Sequence, residues 1–195
     1  MSRGFTSPIL RSEASGVVRG ISTDFRSEGP TMKYKTVATG GTFDHLHRGH
    51  IALLGKSFEV GDAVVIGVTS DAFAMKEGKN PDQRYEERVR QLEAFIRKDF
   101  PGRKYVISKL DDYFGPGIAS PEVQAIVVSR ETAKRVSMAN DLRQAKGYPP
   151  LETVVVDFVL ASDSKPISST RIRSGEIDAE GKLAKRPPKR RDRGS

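Results

Sequence analysis

Tyr34-Lys35-Thr36-Val37-Ala38-Thr39-Gly40-Gly41-Thr42-Phe43-Asp44-His45-Leu46-His47-Arg48-Gly49-His50 is the stretch from which the remainder of the chain is best read. Residues 34–39 have the makings of a short strand, and the glycine pair 40–41 stops it. From His50 the apolar period changes. Ile51, Leu54 and Phe58 recur at helical spacing on one face, and Gly61 stands where glycine usually closes a helix. A strand turning through two glycines into a helix opens a βα unit, and the chain repeats it. Residues 63–68 form a continuous apolar run, as expected of a strand covered on both faces. A polar loop over 69–83 leads to a helix over 84–99 with Val89, Leu92 and Ile96 inward, ended by Pro101-Gly102. Residues 105–107 and 125–128 are two further strands. A helix spans 131–146 before Gly147 and Pro149-Pro150, 153–159 is a fifth strand, and a short helix starts near Ser169. This alternation predicts the α/β class: a Rossmann-like parallel sheet of five strands with helices on both faces. Ligands of such sheets lie beyond the carboxyl ends of the strands, where strand order reverses. The 40–50 turn falls at that edge.

The 195 residues suit one domain, but only 36% are apolar, so part of the length is expected outside the core. Residues 1–31 show neither period and read as a flexible extension. The domain is expected over 32–181, and 182–195 as a basic disordered tail. Met32, just before the first patterned segment, is a candidate start of translation. The net charge of +8 is concentrated: residues 182–195 carry seven Lys or Arg and one Asp, which leaves 32–181 with about +1. A nearly neutral body argues against nucleic acid as the main partner, and a solvated tail is the plain reading of the basic run. With no cysteine there is no disulfide framework and no thiolate metal site. No apolar run reaches membrane-spanning length and the first thirty residues lack the apolar centre of a secretory signal, so no membrane partner and a cytoplasmic location are expected.

Two segments carry chemistry. In the first, Gly40 and Gly41 let backbone approach an anion without a Cβ in the way. The helix start beyond them offers unpaired N–H groups, and His47 and His50 add donors. Phosphate is the ligand this suits; a strand–helix turn with two surface histidines is the plain alternative. In the second, Pro166-Ile167-Ser168-Ser169-Thr170-Arg171-Ile172-Arg173, hydroxyls can cap a helix and also donate to phosphate oxygens, while Arg173 offers a planar fork of donors. A simple helix cap with exposed arginines explains that segment equally well. No G-x-G-x-x-G is present, and Gly49 to Gly55-Lys56-Ser57 has one residue too many for a Walker A loop.

Together, His47-x-Gly49-His50 and Ile167-Ser168-Ser169-Thr170-x-Ile172-Arg173 resemble the paired signatures of the HxGH nucleotidyltransferase superfamily. The run from Gly40 to His50, with Val65-Ile66-Gly67-Val68-Thr69-Ser70-Asp71 behind it, is similar to the archaeal and eukaryotic branch of phosphopantetheine adenylyltransferase. The resemblance covers roughly 33–178. It implies transfer of AMP from ATP to phosphopantetheine, giving dephospho-CoA and pyrophosphate in coenzyme A synthesis, with Mg²⁺ carried on ATP and no protein-bound metal. By the same resemblance, His47, His50 and Lys76 would be catalytic. Gly40, Gly41, Thr42, His50, Ser129, Glu131, Asn140, Ser168, Ser169, Thr170 and Arg173 would hold ATP, with Arg143 beside the nucleotide. Thr42, Phe43, Lys76 and Lys79 would meet the acceptor, Lys76 matching better than Lys79. Arg130 departs from the pattern, which has a less bulky or acidic residue there.

The attacking group in this chemistry is a phosphate oxygen already ionised at neutral pH, so no general base is needed. Alignment and stabilisation of shifting charge are the tasks left to the protein. Cytidylyltransferases and NMN or FMN adenylyltransferases share HxGH and are the nearest rivals. An aminoacyl-tRNA synthetase needs more chain than this. A nucleic-acid-binding protein using the tail is the reading of another class. The sequence leaves the oligomeric state open, a monomer included.

Overall fold

The computed structural model describes residues 32–184. The extension expected over 1–31 and the last eleven residues of the expected tail lie outside the described residues. Five parallel strands, β1 (Tyr34–Gly41), β2 (Gly61–Thr69), β3 (Lys104–Leu110), β4 (Ala125–Ser129) and β5 (Glu152–Val156), lie in the order β3-β2-β1-β4-β5. The order reverses beside β1, the switch point at which such sheets bind ligands.

Alternation along the central strands dictates the layers. Val37, Val64, Ile66 and Val127 point to one face and meet Leu54 and Phe58 of α1 (Arg48–Val60) in the main core. Leu92 and Ile96 of α3 (Tyr85–Asp99) complete that core. Ala38, Val65 and Ile126 point to the other face and pack with Ile118 of α4 (Pro116–Ala119), Val123 and Leu151. Each large apolar side chain fully buried this way contributes about 1.5–3 kcal/mol. A third cluster, Ala161, Ile167 and Ile177, carries α6 (Ser169–Arg173).

The structure corrects several sequence expectations. The 69–83 loop contains a helix, α2 (Asp71–Lys76), capped by the Ser70 hydroxyl accepting from the Phe73 N–H (3.1 Å). The helix expected over 131–146 is a 3₁₀ turn (Ala133–Arg135) followed by α5 (Val136–Ala145). β5 stops at Val156, and Leu160 instead bridges Pro166 in antiparallel fashion. Ile51 is exposed, and on α3 it is Arg88 rather than Val89 that is fully buried. Contacts among the described residues also continue past the expected boundary at 181. Leu183 bridges Ile177, and the Ala184 N–H donates to the Glu176 carbonyl (2.9 Å). Among the described residues, no helix is long and apolar enough to cross a membrane.

Candidate active site

The loop between β1 and α1 is bent by two non-glycine residues in the left-handed region, Phe43 (φ 54°) and His45 (φ 47°). Such a conformation costs on the order of 1 kcal/mol or more per residue and persists only where the surroundings enforce it. Here Phe43 is driven into the core, and between the two bends Asp44 is turned fully inward. Its carboxylate accepts from the backbone N–H groups of Asp82 (3.3 Å) and Gln83 (3.2 Å) and from Arg173 Nη1 (2.8 Å). The Ser169 hydroxyl donates to the Asp44 carbonyl (2.5 Å), and Arg173 Nη2 to the Thr170 hydroxyl (3.1 Å). The two signature segments, about 125 residues apart in sequence, therefore meet at one buried aspartate. Ser168 caps α6, accepting from the Arg171 N–H (3.4 Å).

His47 is the N-cap of α1. Its Nδ1 accepts from the Gly49 N–H (3.1 Å), which leaves the ring proton on Nε2. The His50 ring stacks on it at 3.9 Å and lies 5.1 Å from Phe43. Burial, with the charge of His45 adding, lowers the His47 pKa to about 4. Burial holds His50 well below the ordinary range too, helped by His47 and Lys79, so both rings are neutral donors at pH 7. The helix start itself offers less than expected, because the Arg48 N–H is taken by the Ala179 carbonyl (3.3 Å) and that of Gly49 by His47. The free donors at this helix start are thus on side chains more than on the first backbone amides. Gly49 leaves room for this arrangement: a Cβ there would stand 3.0 Å from the His47 ring and press on it.

A cavity opens from Gly40, Gly41 and Thr42 along the carboxyl edge of the sheet. Its walls are mainly apolar, with Phe73, Leu110, Tyr113, Ile118 and Val136 among them. The hydroxyls of Thr42, Thr69 and Ser108, at the ends of three adjacent strands, are buried on its lining without a protein partner. Unpaired buried hydroxyls are rare, and a polar ligand would satisfy them. Arg135 reaches Glu77 (3.5 Å) and lies over the Tyr113 ring (4.5 Å), and these three residues also line the cavity.

A cytidylyltransferase-like family model matches residues 38–175. Among curated proteins, the phosphopantetheine adenylyltransferase of Methanopyrus kandleri is 44% identical over 149 residues, 76% of this chain and 94% of that protein. That of Methanosarcina acetivorans is 46% identical over 149 residues, 75% and 94% of the two chains. The chain belongs to the phosphopantetheine adenylyltransferase family. A solved protein of unknown function from Archaeoglobus fulgidus is 27% identical with a TM-score of 0.57, covering 63% of this chain and 89% of that one. A lipopolysaccharide core biosynthesis protein from Thermoplasma volcanium, 23% identical with a TM-score of 0.51 over 63% and 95% of the chains, shares the fold.

Not every residue suggested by the family pattern faces the site. Lys79 lines the cavity and its charge acts on His50, whereas Lys76, exposed at the end of α2, is not on the lining. The reason is local: α2 ends at Lys76, and the turn through Gly78 (φ 71°) brings the later lysine to the cavity. Asn140 is committed elsewhere, accepting from the Leu151 N–H (2.8 Å) and donating to its carbonyl (3.2 Å). Arg143 is buried and donates to the carbonyls of Ile118, Ser120, Val123 and Pro149. Both tie α5 to its neighbours. Ser129 bonds within its turn to Thr132 (3.1 Å), Glu131 is exposed, and of that segment Thr132 and Arg135 face the cavity. Arg130, the departure from the pattern, pairs with Asp157 (2.5 Å) at the surface. The sequence alone assigns no role to Asp44 or Arg88. A charged residue in register with Leu92 and Ile96 was the available signal for Arg88.

Proposed function

We infer that this protein transfers the adenylyl group of ATP to the phosphate of phosphopantetheine, releasing pyrophosphate and forming dephospho-CoA. The observation that carries the reading is the meeting of the two signature segments at Asp44, which supports a single triphosphate site between them. An acceptor phosphate oxygen forms a bond to the α-phosphorus while the bond from that phosphorus to the pyrophosphate oxygen breaks. Neutral His47 and His50 donate to the oxygens on which charge grows, and preorganised donors of this kind act without reorganising. The segment 168–173 serves the departing β and γ phosphates. Lys79 and the Thr42 hydroxyl hold the acceptor phosphate, and the apolar cavity with its unpaired hydroxyls suits an amide-bearing aliphatic arm.

No carboxylate set here fits a resident metal. Among the described residues no cluster of three or more His, Asp or Glu could hold one, and the Asp44 carboxylate is already engaged by two backbone N–H groups and Arg173. Mg²⁺ belongs to the reading as the counter-ion of ATP, part of the substrate. A cytoplasmic location completes it. The test is to incubate purified protein with ATP or CTP and each of phosphopantetheine, NMN and FMN, reading pyrophosphate and product mass. Dephospho-CoA is expected from one combination only; its absence there, with turnover elsewhere, refutes the reading.

A further inference from the structure

Arg88 is completely buried, yet the reaction steps above leave it unused. Its guanidinium makes four bonds to four places in the chain: Nη1 to the Thr42 carbonyl (2.5 Å), Nη2 to the Thr69 carbonyl (2.8 Å) and the Asp71 carboxylate (2.7 Å), and Nε to the Gln83 carbonyl (3.1 Å). Thr42 stands in the phosphate loop after β1, Thr69 ends β2, Asp71 opens α2, and Gln83 sits in the loop that Asp44 anchors. Burying a charge mostly against carbonyls is an expensive way to hold a fold together, since an apolar residue at that position of α3 would pack without the desolvation penalty. What the planar fork of arginine offers instead is fixed direction.

Thr42 and Lys79 belong to different strand–helix connections. Arg88 bonds directly to both, at Thr42 itself and at the first turn of the helix whose far end leads to Lys79. We propose that Arg88 is a positioning residue that fixes Lys79 relative to the Thr42 loop, so that the acceptor phosphate is presented in line with the α-phosphorus. The proposal rests on the adenylyltransferase reading. A misplacement of about 1 Å between reacting groups lowers rate by about a hundredfold. Arg143 supplies the comparison. It is equally buried and bonds to four carbonyls, none of them in the connections that hold Thr42 and Lys79.

The experiment measures kcat, both KM values and the thermal midpoint for Arg88→Lys and Arg143→Lys, each alone and combined with Lys79→Ala. Arg88→Lys is expected to lower kcat/KM for phosphopantetheine by about 30- to 100-fold, with the KM for ATP within about 3-fold of wild type. On top of Lys79→Ala the same change should cost less than about 3-fold more, because coupled sites are non-additive. Arg143→Lys should lower the midpoint while leaving kcat/KM within about 3-fold. A full multiplicative loss in the Lys79→Ala background, or equal losses for the two arginines, overturns the proposal. If Arg88→Lys does not fold, Asp71→Asn carries the same test at the α2 end of the link, with about a tenfold loss expected that vanishes in the Lys79→Ala background. Wild-type protein inactive on phosphopantetheine but active on another acceptor would refute the functional reading, a different result from any of these.

Discussion

Two histidines held neutral by burial have opposite consequences for stability and for rate. Folded His47 takes up a proton only near pH 4, whereas in the unfolded chain it does so near 6.5. Below 6.5 the unfolded chain therefore binds more protons, and stability falls as the pH drops through that window. His47 alone accounts for up to about 3 kcal/mol between pH 6.5 and 4, with His50 adding in the same direction. Thermal melts of the free protein should show the midpoint falling across this range, and His50→Gln should flatten the slope. For the reaction, His50→Ala should lower kcat by about a hundred- to a thousandfold with an unchanged circular dichroism spectrum, the loss usual for one well-aimed donor. Lys79→Ala should raise the KM for phosphopantetheine by about tenfold or more, and Lys76→Ala should leave it within about twofold, as steady-state kinetics would show. At this scale the sequence was readable where residue type and spacing suffice: His47, His50, Ser169 and Arg173 all lie where the two segments converge. It was not readable where a role depends on contacts across the fold. The inward carboxylate of Asp44 follows from the bends at Phe43 and His45, and the placing of Lys79 rather than Lys76 on the cavity lining from the turn at Gly78, neither of which spacing reveals.

Among the elements, the strands were the most legible, because runs such as 63–68 are apolar on both faces and only the sheet interior offers that burial. The helix α2 was missed because six residues span less than two turns, too short for a period to show, although its Ser70 cap was present. The helix after β4 starts at Val136, later than the apolar pattern suggests, because a 3₁₀ turn over Ala133–Arg135 precedes it. Asn140 points from α5 to the backbone of Leu151 at the start of the β5 connection. Losing both of its hydrogen bonds should destabilise the protein by about 1–3 kcal/mol. Asn140→Ala is therefore expected to lower the denaturant midpoint while the KM for ATP stays within about twofold; a raised KM with unaltered stability would restore it to the nucleotide site.

For the molecule as a whole, charge and chemistry are separate in sequence. Six of the seven basic residues of the 182–195 run lie outside the described residues, and Ala184, the last described residue, donates its N–H to the Glu176 carbonyl. Deleting 185–195 should leave kcat/KM for both substrates within about twofold at 0.15 M salt, whereas cutting at 181 should also lower the melting midpoint, because it removes the Leu183 bridge. A larger feature follows from the sheet itself. β1 pairs with β2 over seven residues but with β4 over two, Val37 with Ala125 and Ala38 with Ile126. Past that point the Thr39 hydroxyl reaches across to the Val127 carbonyl (2.9 Å), one side chain standing in for missing ladder bonds. The seam between β1 and β4 is therefore held less by backbone pairing than by the core laid across it, where Val37, Ala125 and Val127 pack together with Leu54 and Phe58 of α1.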